Sequence, residues 1–176
     1  FGNADLAHTE ATEPHHLFRL ASVSKPITGI AIMTLVQNGQ LSLSDHVFGP
    51  GGLLQNHPYL GAVSYTDTRL NNVTIDQLLH HTGGWDRDIN CFPNPTSPYT
   101  WQQPGCDPIG APLYVSQMLG ETNPVSKYAL IRFLMQHGLD HDPGTMYAYS
   151  NIGFVTLGVV IEQVTGMTYE EYVESA

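Results

Sequence analysis

Ile27, Ile30, Ala31, Ile32, Met33, Leu35 and Val36 put apolar side chains on nearly every side of a helical projection. That all-round pattern predicts a buried helix rather than an amphipathic one. Asn38-Gly39 supplies its stop signal. Pro26 fits only the first turn, where its missing N–H costs least. It also disfavours α geometry at Lys25, so a tight or irregular entry is expected. A capping box at Thr74 and Gln77 opens a second helix carrying Leu78 and Leu79, which Gly83-Gly84 is expected to end. Residues 113–119 read as a short helix. Asn123 as N-cap and Pro124 at N1 start the next, with Tyr128, Ile131, Leu134 and Met135 as its stripe and Gly138 as its end. Ser150 or Asn151 caps a further helix through Phe154, Leu157, Val160, Ile161 and Val164, stopping at Gly166. A second capping box, Thr168 with Glu171, opens the last.

Alternating segments are scarce. Leu17, Phe18, Arg19 and Leu20 form the best strand candidate, and residues 41–47 alternate over too short a run to classify. Gly49-Pro50-Gly51-Gly52 breaks the chain, and residues 53–72 read as irregular connection. The expected architecture is therefore the helical part of an α+β domain, with at most a small piece of sheet near residues 1–20.

Composition narrows the function. At 176 residues, 41% hydrophobic and 12% charged, the chain can bury a single core. A formal net charge of −10 argues against nucleic acid, whose phosphates need Lys and Arg. No apolar run reaches the length of a membrane span. Cys91 and Cys106 flank a Pro- and Gly-rich stretch inside the long loop of residues 88–112. A disulfide between them would stabilise the fold by roughly 3 kcal/mol in the chain-entropy model and would imply an oxidising compartment. The alternatives are two unpaired thiols or a metal site short of ligands.

The candidate chemistry begins at Ser22-x-x-Lys25, at the entrance of the apolar helix. Residues i and i+3 share a helical face, so a hydroxyl and an amine project together. The N-terminal N–H groups and dipole favour negative charge there, conditions in which a serine becomes a nucleophile. Tyr149-x-Asn151 follows the Asp142-Pro143-Gly144-Thr145 turn and precedes another helix. His80-His81-Thr82-Gly83-Gly84 predicts a buried imidazole bonded to backbone near a pocket. Metal is not expected: adjacent histidines on a helix diverge by about 100°, and Gly138 interrupts the helix between His137 and His141. No Gly-x-Ser-x-Gly elbow and no His-Glu-x-x-His motif occurs, which disfavours an α/β-hydrolase and a zinc hydrolase.

Leu20-Ala21-Ser22-Val23-Ser24-Lys25-Pro26, Leu78-Leu79-His80-His81-Thr82-Gly83-Gly84, and Pro143-Gly144-Thr145 with Tyr149-Ser150-Asn151 resemble the class C β-lactamase-related serine hydrolases. That group includes β-lactamases, D-alanyl-D-alanine carboxypeptidases and β-lactamase-fold esterases. The resemblance covers most of the chain except residues 49–69 and 88–121, the latter an insertion bearing the cysteine pair. It implies an α+β, serine β-lactamase-like fold, the penicillin-binding-protein-like transpeptidase fold. Residues 1–21 would be a residual sheet part, and residues 22–176 the nucleophile helix and helical subdomain of a single truncated domain.

The resemblance further implies an acyl-enzyme hydrolase of amides or esters: a β-lactam, a D-Ala-D-Ala peptide or a small ester. Ser22 would be the nucleophile, Lys25 the residue that takes its proton or tunes the network, Tyr149 the general base and Asn151 a substrate-binding group. No cofactor is implied. The partner is a small-molecule or peptide substrate, and the location is extracytoplasmic, periplasmic or secreted. The family's third motif, Lys-Thr-Gly or His-x-Gly, is absent after Asn151, which implies a fragment lacking one oxyanion-hole donor. The competing reading is a non-catalytic binding or scaffold protein on the same fold.

Overall fold

In the computed structural model, which describes residues 2–89 and 107–176, the most apolar capped segment forms the axis. Six α-helices occur among the described residues: α1 Ser24–Gln37, α2 Ile75–Leu79, α3 Pro112–Leu119, α4 Lys127–His137, α5 Asn151–Thr165 and α6 Tyr169–Ser175. On α5, Ile152, Leu157, Val159, Val160 and Ile161 are all buried, and α1, α2, α4 and α6 pack around them. Apolar burial of this kind stabilises by about 25 cal/mol per Å² removed from water. Ser150 caps α5 by accepting from the Gly153 N–H at 3.3 Å, and Gly166 ends it at φ 70°.

Both capping boxes form. Thr74 Oγ1 accepts from the Gln77 N–H at 3.3 Å while Gln77 Oε1 accepts from the Thr74 N–H at 3.0 Å. Thr168 and Glu171 repeat the exchange at α6. Tyr169, opening α6, meets Thr28 Oγ1 of α1 at 2.8 Å and ties the two helices together.

Four expectations need correction. The first concerns α1, which is not buried all round. Its Thr28, Ala31, Ile32 and Leu35 side faces α5 and α6, whereas Ile30 is 69% exposed and Met33 47% exposed. Apolar composition states what a surface prefers, but among the described residues only one side of α1 meets helices that bury it. The second is the strand at residues 17–20, which does not form. A strand needs a neighbour for its N–H and C=O groups, and Leu17 stands 99% exposed. Residues 2–20 hold one isolated antiparallel bridge, Asn3 to Ala11, so the structure is helical and no sheet appears among the described residues.

The third correction is the start of α4. It opens at Lys127, not after Pro124, because Ser126 takes the cap position by accepting from the Ala129 N–H at 3.1 Å. The fourth is the end of α2, which stops at Leu79, four residues before Gly83. His81 at φ 57° turns the chain there.

The irregular stretch between α1 and α2 contributes more core than its pattern suggests. Val47, Phe48, Leu54, Leu60, Leu70 and Val73 are buried without belonging to any α-helix. Trp85 meets Phe48 edge-to-face at 5.9 Å and donates its indole N–H to the Gly138 carbonyl at 3.2 Å. Beside it, Asp67 Oδ2 accepts from Arg69 at 2.7 Å and from the Leu139 N–H at 2.9 Å. Arg69 also donates to the Leu139 carbonyl at 2.6 Å and to Asp142 at 2.8 Å. This network fastens the irregular segment to the exit of α4. Cys91, Cys106 and their proposed bond lie outside the described residues.

Candidate active site

Ser22 sits in a 3-10 turn, Ala21–Val23, that leads into α1. Ala21 has φ 48°, a conformation that costs a non-glycine residue energy and persists where its surroundings hold it. The irregular entry therefore lies ahead of the helix and not where Pro26 was expected to put it: Lys25 and Pro26 both stand inside the regular first turn of α1. Three residues on, Lys25 Nζ donates to Ser22 Oγ at 3.3 Å. The two side chains share a face, as their spacing predicts.

Tyr149 and Asn151 arrive from the far side of the chain. Tyr149 lies in the irregular segment before α5, and its hydroxyl is 2.6 Å from Ser22 Oγ. Asn151, the first residue of α5, accepts from Lys25 Nζ through Oδ1 at 2.7 Å. Lys25 Nζ also stands 4.8 Å from the centroid of the Tyr149 ring. All four predicted residues therefore meet in one cluster.

The His-Thr-Gly-Gly segment positions this second half. Ala148 N–H donates to the His81 carbonyl at 2.8 Å, and Gly144 N–H to the Thr82 carbonyl at 2.7 Å. His81 Nδ1 accepts from the Ser150 N–H at 3.2 Å, and its ring lies 4.6 Å from that of Tyr149. His81 is the backbone-bonded imidazole expected from the sequence, but half-buried rather than buried; His80 is exposed and bonds to the Asp76 carbonyl instead. Burial, and then the charge of Lys25, hold His81 below the ordinary imidazole pKa, so it stays neutral at pH 7.

Two contributors escaped sequence reasoning. Asp107 Oδ2 accepts from the Asn151 side-chain amide at 2.7 Å and from the Asn151 N–H at 3.2 Å. With Oδ1 on Lys25 and one Nδ2 hydrogen on Asp107, Asn151 keeps one amide hydrogen for another acceptor. Asp107-Pro108 does carry a cap signature, and Asp107 Oδ1 accepts from the Ile109 N–H at 3.2 Å. Nothing in the local sequence points from that cap to Asn151. Arg87 is the second: its guanidinium lies 4.6 Å from the Tyr149 ring centroid.

The electrostatics favour an ionisable Tyr149. Burial alone would raise its pKa, but hydrogen bonding to Lys25 and Ser22 and the charges of Lys25 and Arg87 outweigh it. Tyr149 therefore titrates below an ordinary phenol. Elsewhere, a cavity of about 440 Å³ opens among Phe48, Leu54, Leu60, Val63 and Met135; none of the four motif residues lines it. Among the described residues no three His, Cys, Asp or Glu side chains converge on a metal position. His141 pairs with Asp86 at 3.1 Å. No single helix among the described residues is long and apolar enough to cross a membrane.

Solved structures share this arrangement of helices. The penicillin-binding protein from Bacillus halodurans is 28% identical, with TM-score 0.57 over 99% of this chain and 44% of that one. The octameric penicillin-binding protein homologue from Pyrococcus abyssi is 27% identical, with TM-score 0.55 over 88% of this chain and 29% of that one. The fold is thus that of the serine β-lactamases and penicillin-binding proteins. The beta-lactamase family profile matches residues 1–176, and the chain belongs to that family, whose members are serine hydrolases. Among curated relatives, penicillin-binding protein 4* of Bacillus subtilis is 29% identical over 178 residues, covering 100% of this chain. The chain spans 31% of that relative's length.

Proposed function

We propose that this chain carries the acylating residues of a serine hydrolase that cleaves an amide or ester through an acyl-enzyme. The observation that carries the reading is the 2.6 Å contact between Ser22 Oγ and the Tyr149 hydroxyl, with Lys25 Nζ 3.3 Å from the same Oγ. A general base must stand within hydrogen-bond reach of the proton it removes. Ser22 Oγ attacks the carbonyl carbon as its proton passes to the Tyr149 oxygen. The tetrahedral intermediate collapses, the bond to the leaving group breaks, and Tyr149 returns the proton to the departing nitrogen or oxygen. Water then releases the acyl group from Ser22 by the same route in reverse. Lys25 holds positive charge beside both oxygens, the Ser22 N–H serves as one oxyanion donor, and the remaining Asn151 amide hydrogen binds substrate.

The substrate class is a β-lactam, a D-Ala-D-Ala peptide or a small ester, a range supported by relatives named for penicillin binding. The protein acts outside the cytoplasm, with Cys91 bonded to Cys106. The α+β class belongs to the same proposal, supported by the side of α1 that is uncovered among the described residues, where Ile30 and Met33, with Val23 just before the helix, offer an apolar surface for a sheet. So does the reading of residues 22–176 as the nucleophile helix and helical subdomain of a single domain, with an insertion near 88–121.

Labelling of the full-length protein with a fluorophosphonate or penicillin-type probe tests the function. Peptide mapping is expected to find the adduct on Ser22, and Ser22→Ala to abolish it. Labelling that survives Ser22→Ala places the nucleophile elsewhere, and a wild-type protein that no acylating probe modifies is a binding protein.

A further inference from the structure

We propose that Arg87 is a positioning residue for Tyr149, a permanent second cation that keeps the tyrosine oxygen ready to take the Ser22 proton. The inference rests on the reading of Tyr149 as the base and assigns that base its control. Geometry carries it. The Arg87 guanidinium lies 4.6 Å from the ring centroid of Tyr149, within the range of a cation–ring contact. Lys25 Nζ lies 4.8 Å from the same centroid. Two cations from two different elements therefore attend one phenol.

The two cations are not equivalent. Lys25 also donates to Asn151 at 2.7 Å and to Ser22 at 3.3 Å, inside the hydrogen-bonded network through which protons move. Arg87 does not lose its proton in proteins, and its planar group stacks on aromatic faces. Its charge is constant throughout the cycle.

The other charged and titratable groups facing this site leave that role open to Arg87. His81, packed on the Tyr149 ring from the segment after α2, is held in its neutral form by burial and by Lys25. Asp107 is turned to Asn151 and is bonded there at 2.7 Å. Asp88 lies 3.6 Å from Arg87 Nε, a half-exposed ion pair of the kind that solvent weakens. The charge of Arg87 acts on Tyr149 in the same direction as that of Lys25, favouring the ionised oxygen.

The experiment compares wild type, Arg87→Gln and Arg87→Lys in the full-length protein, with Tyr149→Phe as reference. Acylation by a penicillin-type probe and by a neutral activated ester is followed against pH. Tyrosinate ultraviolet absorbance is titrated in parallel, and subtraction of the Tyr149→Phe curve isolates Tyr149. Arg87→Gln is expected to move the acid limb of acylation and the Tyr149 absorbance midpoint to higher pH. Its high-pH plateau should equal that of wild type. Below the midpoint, acylation should fall about two- to fivefold, the ratio an exposed cation–ring contact supports. Arg87→Lys keeps the charge and should lie between the two.

An unmoved midpoint in Arg87→Gln overturns the inference. So does an equal loss at every pH, which would make Arg87 a purely structural prop. A loss confined to the carboxylate-bearing penicillin probe, with the neutral ester unaffected, also overturns it and makes Arg87 a substrate anchor. If the Tyr149 absorbance midpoint shifts as expected while no probe ever acylates Ser22, Arg87 controls Tyr149 and the hydrolase reading fails instead.

Discussion

The two halves of the candidate site are built by different means. Ser22 and Lys25 stand three residues apart on one turn and the helix it opens, and their 3.3 Å contact follows from helical geometry. Tyr149 and Asn151 reach the same point from more than 120 residues along the chain. Their placement depends on the His81 and Thr82 carbonyls, the His81 ring and the Asp107 carboxylate. The first half is a property of a local spacing. The second exists only once three separate segments have closed around it, so it is the half that remote substitutions will disturb.

The largest effect is expected where the halves touch. Tyr149→Phe removes the oxygen 2.6 Å from Ser22 and keeps the ring. Acylation in the full-length protein should fall about 10²–10⁴-fold, the size of a general-base contribution. Urea denaturation should show little change, because the packing volume is conserved. A Tyr149→Phe protein that acylates at the wild-type rate would leave Lys25 as the remaining candidate base.

Gly84→Ala tests the support of the second half without touching it. Gly84 has φ 103°, and a Cβ there would stand 2.5 Å from the His141 carbonyl oxygen. The Gly84 carbonyl accepts from both the Asp140 and His141 N–H groups, so the backbone has little room to move. A loss of about 1–3 kcal/mol is expected from the forced conformation, readable as a lower urea midpoint. The Ser22–Lys25 turn should keep its geometry, and near-wild-type stability would show that the segment after α2 is not under this constraint.

Asp107→Ala sharpens the comparison further. It deletes the acceptor that fixes the Asn151 amide at 2.7 Å. Hydrogen bonds to a charged group contribute about 1.5–3 kcal/mol, so acylation should drop about tenfold or more if that energy holds Asn151 in place. Asp107→Asn keeps the shape and one acceptor oxygen and should recover part of it. Equal acylation by all three proteins would show that Asn151 is positioned by Lys25 and α5 alone.

The smallest effect belongs to the pin far from the chemistry. Arg69, against the opposing cost of burial and aided by the Leu139 N–H, lowers the Asp67 carboxyl from 3.8 to about 2. A carboxyl depressed on folding stabilises the native state above its unfolded pKa. That contribution should be whole above pH 3.8 and fade as pH falls through about 2. Comparing urea midpoints of wild type and Asp67→Ala from neutral pH downward checks this. The gap between them should narrow only in the acid range, and a gap independent of pH would assign Asp67 a packing role.

Both capping boxes, the axis helix α5 and the pairing of Ser22 with Lys25 were legible in the sequence, because each is encoded by residues within a turn or two of one another. Their hydrogen bonds close locally, whatever the rest of the chain does. The sequence also placed Tyr149 and Asn151 beside a helix start, and the motif order brought them into one family resemblance with Ser22. Only the tertiary structure decided which side of α1 is covered, since all-round apolarity cannot say which neighbours arrive. It alone turned the unclassified run at 41–47 and the irregular connection at 53–72 into core, with Val47 and Leu70 buried outside any α-helix. It alone brought Asp107 to Asn151 and Arg87 to Tyr149. Those contacts join residues 44 and 62 positions apart through side chains whose local signals are a cap and an exposed charge. A short-range pattern records the energy of closing one turn, whereas these contacts form only after the entropy of closing long loops has been met by the core beneath them.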